Sequence, residues 1–224
     1  MNQGDLVSRL DGFFDVGAFP EADLWTSMLS PSERAVYERL ARPEFVAGTW
    51  NGLMLDSVPE IDRVYLIVFP DQAVLDTILA LELDRSGPGA LIFAHHPADF
   101  EERSRGFIGL REAQIEELLE HRISYYCCHA PLDCHSEIST VGALAKALKL
   151  HDFAPFAPHH GESMEGVHGQ ISSVPLRAIF FMSDIDMWSG WLWVMNIKSA
   201  GFAPLISYGS MYIVLFPAFI MKLA

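Results

Sequence analysis

Between Arg63 and Leu150 the chain repeats one arrangement three times: a short apolar run, a break, then a longer stretch whose apolar residues recur every three or four positions. "RVYLIVFP" (63–70) leads into "DQAVLDTILALEL", and "ALIFA" (90–94) follows the turn "SGPG" and leads through a loop into "GLREAQIEELLEHR". "ISYYCC" (123–128) leads into "EISTVGALAKALKL". Short apolar runs bounded by turn residues predict buried strands, and the wider spacing of Ile138, Val141, Leu144, Ala145 and Leu148 predicts a helix with one buried face. Strands alternating with amphipathic helices predict an α/β fold, a mostly parallel sheet covered by helices and layered α/β/α.

The flanking text differs. Upstream, "SPSERAVYERLAR" starts like a helix, with Ser30 or Ser32 as cap, Pro31 in the first turn and Glu33 early. "FVAGTWNGLML" breaks the pattern with Gly48 and Gly52 and reads as a loop carrying Trp50 and Asn51. Beyond Leu150, "HDFAPFAPHHGESMEGVHGQ" reads as a proline- and histidine-rich connection, and "AIFFMSDIDMWSGWLWVMNIKSAGF" as a strand and a short helix. "AGFAPLISYGSMYIVLFPAFIM" (200–221) is long enough to span a bilayer, but its two prolines and uneven apolarity predict core strands and turns. The expected organisation is an α/β metal-site domain over 1–150 and a divergent C-terminal region over 151–224, packed on the first domain or incomplete.

Composition narrows the class. With 15 Lys and Arg against 29 Asp and Glu, the formal charge is −14 over 224 residues, which excludes a phosphate-backbone partner and suits a site that attracts cations. The three cysteines, Cys127, Cys128 and Cys134, lie within eight residues, an odd set that points to reduced thiols in the cytoplasm. The N-terminus lacks the basic and apolar regions of a signal peptide.

The candidate chemistry sits where the strands end. Ligands collect beyond the carboxyl ends of the strands of an open parallel sheet. "LIFAHHPADF" puts His95 and His96 at that end of one strand, and "CCHAPLDCHSE" puts His129, Asp133, Cys134 and His135 at that end of the next. Adjacent residues of a strand point to opposite faces, so two neighbouring histidines share a site only if the chain has left the strand, an exit Pro97 favours. Each ring can then hold a metal ion, with a carboxylate such as Asp133 bridging. Imidazole with carboxylate suits zinc, manganese, iron or nickel, and such ions activate water for hydrolysis.

These two motifs, "LIFAHHPADF" and "YYCCHAPLDCHSEISTVGALAKALKL", resemble the type 2 homologues of GTP cyclohydrolase I, also called Ngg-one-interacting-factor-three-like proteins. "WNGLML" and "GVHGQIS" resemble further segments of that family, and the likeness covers roughly residues 45 to 172. The resemblance implies a dinuclear site with His95, His96 and Asp133 as ligands and His129 beside them, orienting ligands or moving protons. It also implies an α/β fold in ring-like homo-oligomers, one or two divalent ions per chain, and metal-dependent hydrolysis of a small-molecule substrate.

The chain also departs from the family, which completes its site with a His and a Glu near the C-terminus. No histidine follows His168 here and no glutamate follows Glu165. The tail's altered composition favours a frameshifted or truncated end, and a metal-binding scaffold without turnover is the alternative function. "PHHGESMEGVH" offers His159, His160, Glu162, Glu165 and His168 as replacement ligands or as a solvated loop. Cys128, His129, Cys134 and His135 lack the spacing of a structural zinc site. Trp188, Trp191 and Trp193 read as core or subunit contact, and Met182, Met187, Met195 and Met211 as core filler.

Overall fold

The computed structural model describes residues 1–101, 106–135, 138–158, 164–171, 190–195 and 211–217. The chain forms two compact units, Met1–Pro131 and Leu132–Ala224.

The first unit opens with four helices, α1 (Gln3–Phe14), α2 (Ala22–Met28), α3 (Pro31–Leu40) and α4 (Pro43–Ala47). Ser30, rather than Ser32, caps α3: its hydroxyl accepts the Glu33 N–H while the Glu33 carboxylate accepts the Ser30 N–H at 2.8 Å, with Pro31 in the first turn. The alternating segment that follows comprises β1 (Gly52–Leu55), β2 (Ile61–Ile67), α5 (Gln72–Glu82), β3 (Gly89–Ala94), β4 (Ala98–Glu101), β5 (Gly106–Gly109), α6 (Glu112–Glu120) and β6 (Ile123–Cys127). The main sheet has the order β1-β6-β3-β2, with β2, β3 and β6 parallel. The α/β expectation therefore holds, and the two strands carrying the site motifs are neighbours.

Two local readings differ. Part of the stretch read as a loop is β1, antiparallel to β6; its four residues are all buried, so no alternation marks it. The loop after β3 contains the hairpin β4–β5, whose Phe100 and Phe107 rings meet at 5.5 Å.

Period-two alternation splits the strands between two layers. Ala90, Ile92 and Ala94 of β3 and Ile123, Tyr125 and Cys127 of β6 form one core with Leu75 and Ile78 of α5, Ile115 and Leu118 of α6, and Trp25 and Tyr37. The residues between them serve the other face, where Phe93 stacks on Tyr126 at 5.5 Å and Phe14 of α1 meets Phe93 at 5.8 Å. Helices thus lie on both sides of the sheet.

In the second unit α7 (Ala130–Asp133, shared with the end of the first unit) is followed by α8 (Thr140–Ala147), β7 (His151–Pro158), β8 (Met164–Ile171), β9 (Gly190–Met195) and β10 (Met211–Pro217). The Ser139 hydroxyl caps α8 by accepting the Gly142 N–H at 3.0 Å. Ile138 consequently falls before the helix and is exposed, while Val141, Ala145 and Leu148 form its buried face. The segment read as a connection is largely the strand pair β7–β8, within an antiparallel sheet of order β7-β8-β10-β9. Its prolines misled because β7 is an edge strand, where a missing N–H is tolerated. The described part of the uncharged tail is β10, paired with both β8 and β9. Among the described residues no helix is long and apolar enough to cross a membrane. His159, His160, Glu162, Met182, Met187 and Trp188 lie outside the described residues.

Candidate metal centre

The site begins where β3 stops. His95 N–H donates to Ile67 O at 3.0 Å and His96 N–H to Val68 O at 3.1 Å. In a regular strand successive N–H groups alternate between the two neighbouring strands, so two consecutive donors toward the β2 side show that the chain has turned out of the sheet. That turn lets both rings reach the same place, with centroids 4.3 Å apart at an interplanar angle of 72°. Tyr125 holds the turn from below, its hydroxyl donating to His96 O at 2.7 Å.

His129 reaches the site from the end of β6. Its ring lies 5.1 Å from that of His95 and 4.9 Å from that of His96, and one ligating nitrogen from each of the three falls within 4.8 Å of the others. Tetrahedral zinc ligation needs nitrogens about 3.3 Å apart, so a common ion would draw the most widely spaced pair together by up to about 1.5 Å. The donor set, three imidazoles, is the chemistry a borderline divalent ion prefers.

The surroundings select ring orientation and charge. His95 Nδ1 lies 3.1 Å from Cys128 O; as the carbonyl only accepts, Nδ1 carries a hydrogen, and in the neutral ring Nε2 keeps its lone pair. His96 is 2 % exposed and stacks on Phe69, 4.3 Å and 1° apart. Burial, followed by the neighbouring charges of His95 and His129, holds His96 well below the usual histidine range, so it is a neutral imidazole at neutral pH.

The sequence pattern did not reveal the groups that hold His129. Glu21, the cap residue of α2, is 1 % exposed, and its Oε1 lies 2.7 Å from His129 Nδ1. Its Oε2 accepts from Asn51 Nδ2 at 2.7 Å and from the Ala130 N–H at 3.2 Å. Asn51 Oδ1 in turn accepts the His129 backbone N–H at 2.7 Å. Burial pushes the Glu21 carboxyl up, yet His129, Asn51 and Ala130 together hold it below the usual carboxylate range. One turn along α2, the fully buried Trp25 sets its ring edge-on to His129 at 5.2 Å. Asn51 lay in a motif the sequence marked; Glu21, in "FPEADLW", looks like any acid at a helix start.

Asp133 ends α7, four residues after His129. It is buried, and its Oδ1 accepts the Thr140 hydroxyl at 2.9 Å. Cys127 is fully buried, which pushes its thiol well above the usual range; it stays protonated and is no nucleophile. Glu165 and His168, considered as replacement ligands, belong to β8, with His168 opposite Ala154 and Val214.

Residues 34–217 match the family model described as Duf34/NIF3 (NGG1p interacting factor 3), well beyond the stretch in which the motifs lie. The GTP cyclohydrolase 1 type 2 homolog of Pyrococcus horikoshii is 28% identical over 163 residues, 72% of this chain and 51% of that protein. The protein of the same name from Deinococcus radiodurans is 27% identical over 171 residues, 76% of this chain and 52% of that protein. The chain therefore spans about half the length of these curated relatives. The fold is similar to that of TTHA1606 from Thermus thermophilus, with a TM-score of 0.52, 18% identity, and coverage of 87% of this chain and 65% of that one. It is similar also to that of protein ybgI, with a TM-score of 0.51, 18% identity, and coverage of 82% and 60%. With the model matched across most of the sequence and the paired-histidine turn in place at the end of β3, the chain belongs to the Duf34/NIF3 family.

Proposed function

We propose that the chain is a metal-dependent hydrolase in which His95, His96 and Asp133 hold one or two divalent ions beside His129. The observation that carries this reading is the convergence of three imidazoles, with ligating nitrogens within 4.8 Å of one another at the carboxyl ends of two parallel strands. Asp133 enters on its sequence motif, as the carboxylate that follows His129 by four residues. A divalent ion bound there supplies Lewis acidity toward water and toward a substrate carbonyl or phosphoryl group. The protein's part is to keep His96 neutral, to orient His95 through Cys128 O, and to place a proton-carrying imidazole, His129, at the same point. The same reading takes the protein as a cytoplasmic homo-oligomer acting on a small molecule.

A second reading is a metal-holding scaffold without turnover, since three converging imidazoles suffice to hold an ion whether or not a substrate is turned over. Metal content per chain separates the possibilities when measured beside His95→Ala and Asp133→Ala. One or two ions in the parent, lost in both variants, together with hydrolysis that disappears in Asp133→Ala, supports the hydrolase. Bound metal without turnover on phosphoester and cyclic amide substrates supports the scaffold. Folded parent protein that takes up no ion overturns both.

A further inference from the structure

His129 is held on two sides by groups whose roles leave no choice of tautomer. Asn51 Oδ1 accepts the His129 backbone N–H at 2.7 Å, so the Asn51 amide can turn only its NH₂ toward Glu21. Glu21 Oε2 is then taken by two donors, Asn51 Nδ2 at 2.7 Å and the Ala130 N–H at 3.2 Å. The remaining oxygen, Oε1, lies 2.7 Å from His129 Nδ1. A carboxylate oxygen only accepts, so Nδ1 must carry a hydrogen, and in the neutral ring Nε2 keeps its lone pair. Glu21 is 99 % covered, its exposure being 1 %, and water does not compete for it. A buried carboxylate that stands behind a metal-ligating imidazole fixes ring and tautomer and raises the basicity of the ligating nitrogen.

Resting on the metal reading above, we propose that Glu21 is a positioning residue that commits His129 to the Nδ1–H form and so makes its Nε2 a third imidazole ligand. His129 is then part of the ion's own coordination. The contact joins residues 108 positions apart, so it exists only once α2 and the end of β6 have docked.

Glu21→Gln tests this without changing shape. The two donors at Oε2 require the amide oxygen there, which turns the Gln NH₂ toward His129 Nδ1. That nitrogen must then accept, and the ring hydrogen moves to Nε2, where it blocks ligation. The first readout is the tautomer of His129 in metal-free protein, from long-range proton–nitrogen correlation on ¹⁵N-histidine-labelled samples, assigned by loss of the signal in His129→Asn. Nδ1–H is expected in the parent and Nε2–H in Glu21→Gln. The second is zinc and cobalt affinity by titration calorimetry, expected to fall about 10- to 100-fold in Glu21→Gln. Nε2–H in the parent overturns the proposal even if the variant fails to fold. An unchanged tautomer and affinity in folded Glu21→Gln overturn it while the metal reading stands. Nδ1–H in a parent that binds neither zinc nor cobalt removes the third ligand because the metal reading itself has failed.

Discussion

Tyr37 clasps the two ends of the hairpin that follows His96: its hydroxyl donates to Pro97 O at 2.6 Å and accepts the Leu110 N–H at 2.9 Å, both contacts buried. Pro97 precedes β4 and Leu110 follows β5, so one side chain from α3 sets where the chain goes after leaving β3. Tyr37→Phe keeps the ring against Trp50, 5.2 Å away, and strands a buried N–H and a buried carbonyl. Leaving buried groups unsatisfied costs about 1–3 kcal/mol each, and the loss expected here is about 2–3 kcal/mol in a urea melt. The Leu110 amide should exchange its hydrogen faster as well. A melt and an exchange rate that both match the parent would show that the clasp contributes nothing.

The acid limb of stability should report His96. Its folded pKa lies below the ordinary value of about 6.5, so as pH falls the unfolded chain takes up the proton first. Stability of the metal-free protein is therefore level above that value and falls below it, by about 1.4 kcal/mol per pH unit for one group. Glu21 behaves as a depressed carboxylate: its contribution is present above its unfolded pKa and disappears as pH drops through the lower folded one. Chemical denaturation between pH 8 and 4 should show the first decline near pH 6.5, and His96→Phe, which can keep the stack on Phe69, should remove it. A decline of the same size in His96→Phe would assign it to another group.

How much of this was legible in the sequence depends on whether a residue's neighbours in the chain were also its partners in space. Strands β3 and β6 announced themselves because burial on both faces makes a continuous apolar run, as in "ALIFA", and β2 carries a similar apolar run although most of its residues are exposed or half-buried. The tandem His95–His96 before Pro97 marked a strand exit, since only there can adjacent side chains converge. β1 escaped notice because four buried residues carry no period, and β7 because edge position excuses its prolines. Glu21 was out of reach for a different reason. A carboxylate at a helix start is ordinary, and its meaning comes from Asn51 and His129, 30 and 108 positions away.

Exposure separates two leucines that the sequence treats alike. Leu66 on the edge strand β2 is 78% exposed, with Val64 and Val68 exposed beside it, whereas Leu75 of α5 is 1% exposed in the core. Leu66→Lys should change stability by less than about 0.5 kcal/mol and reduce self-association, because a charge on an edge strand discourages pairing with another chain. Leu75→Ala should cost about 2–5 kcal/mol through lost burial and the cavity left behind. Urea midpoints of the two variants, with light scattering for the first, check both. A large loss in Leu66→Lys would mean that this face is covered in solution.

Two glycines at the entry to β3, Gly87 in the turn and Gly89 as the first residue of the strand, are there for different reasons. Gly87 has φ +112°, a conformation L side chains rarely adopt, with nothing within 4 Å of an added Cβ. Gly89 has an ordinary φ, but a Cβ there would sit 2.3 Å from Arg122 O and 2.7 and 2.8 Å from the two Val58 methyls. The Arg122 carbonyl cannot move away cheaply, because it also accepts the Ala90 N–H at 3.1 Å, at the point where β3 and β6 begin to run side by side. Gly87→Ala should therefore cost about 1–2 kcal/mol of backbone strain, and Gly89→Ala about 3 kcal/mol or more, since overpacking against backbone has no soft side chain to yield. Displacing β3 at its start would also shift its far end, so Gly89→Ala should weaken the metal binding proposed for His95 and His96 while Gly87→Ala leaves it intact. If Gly87→Ala proves the more damaging in both melts and metal titrations, the turn's conformation, and not the contact with Arg122, governs how β3 enters the sheet.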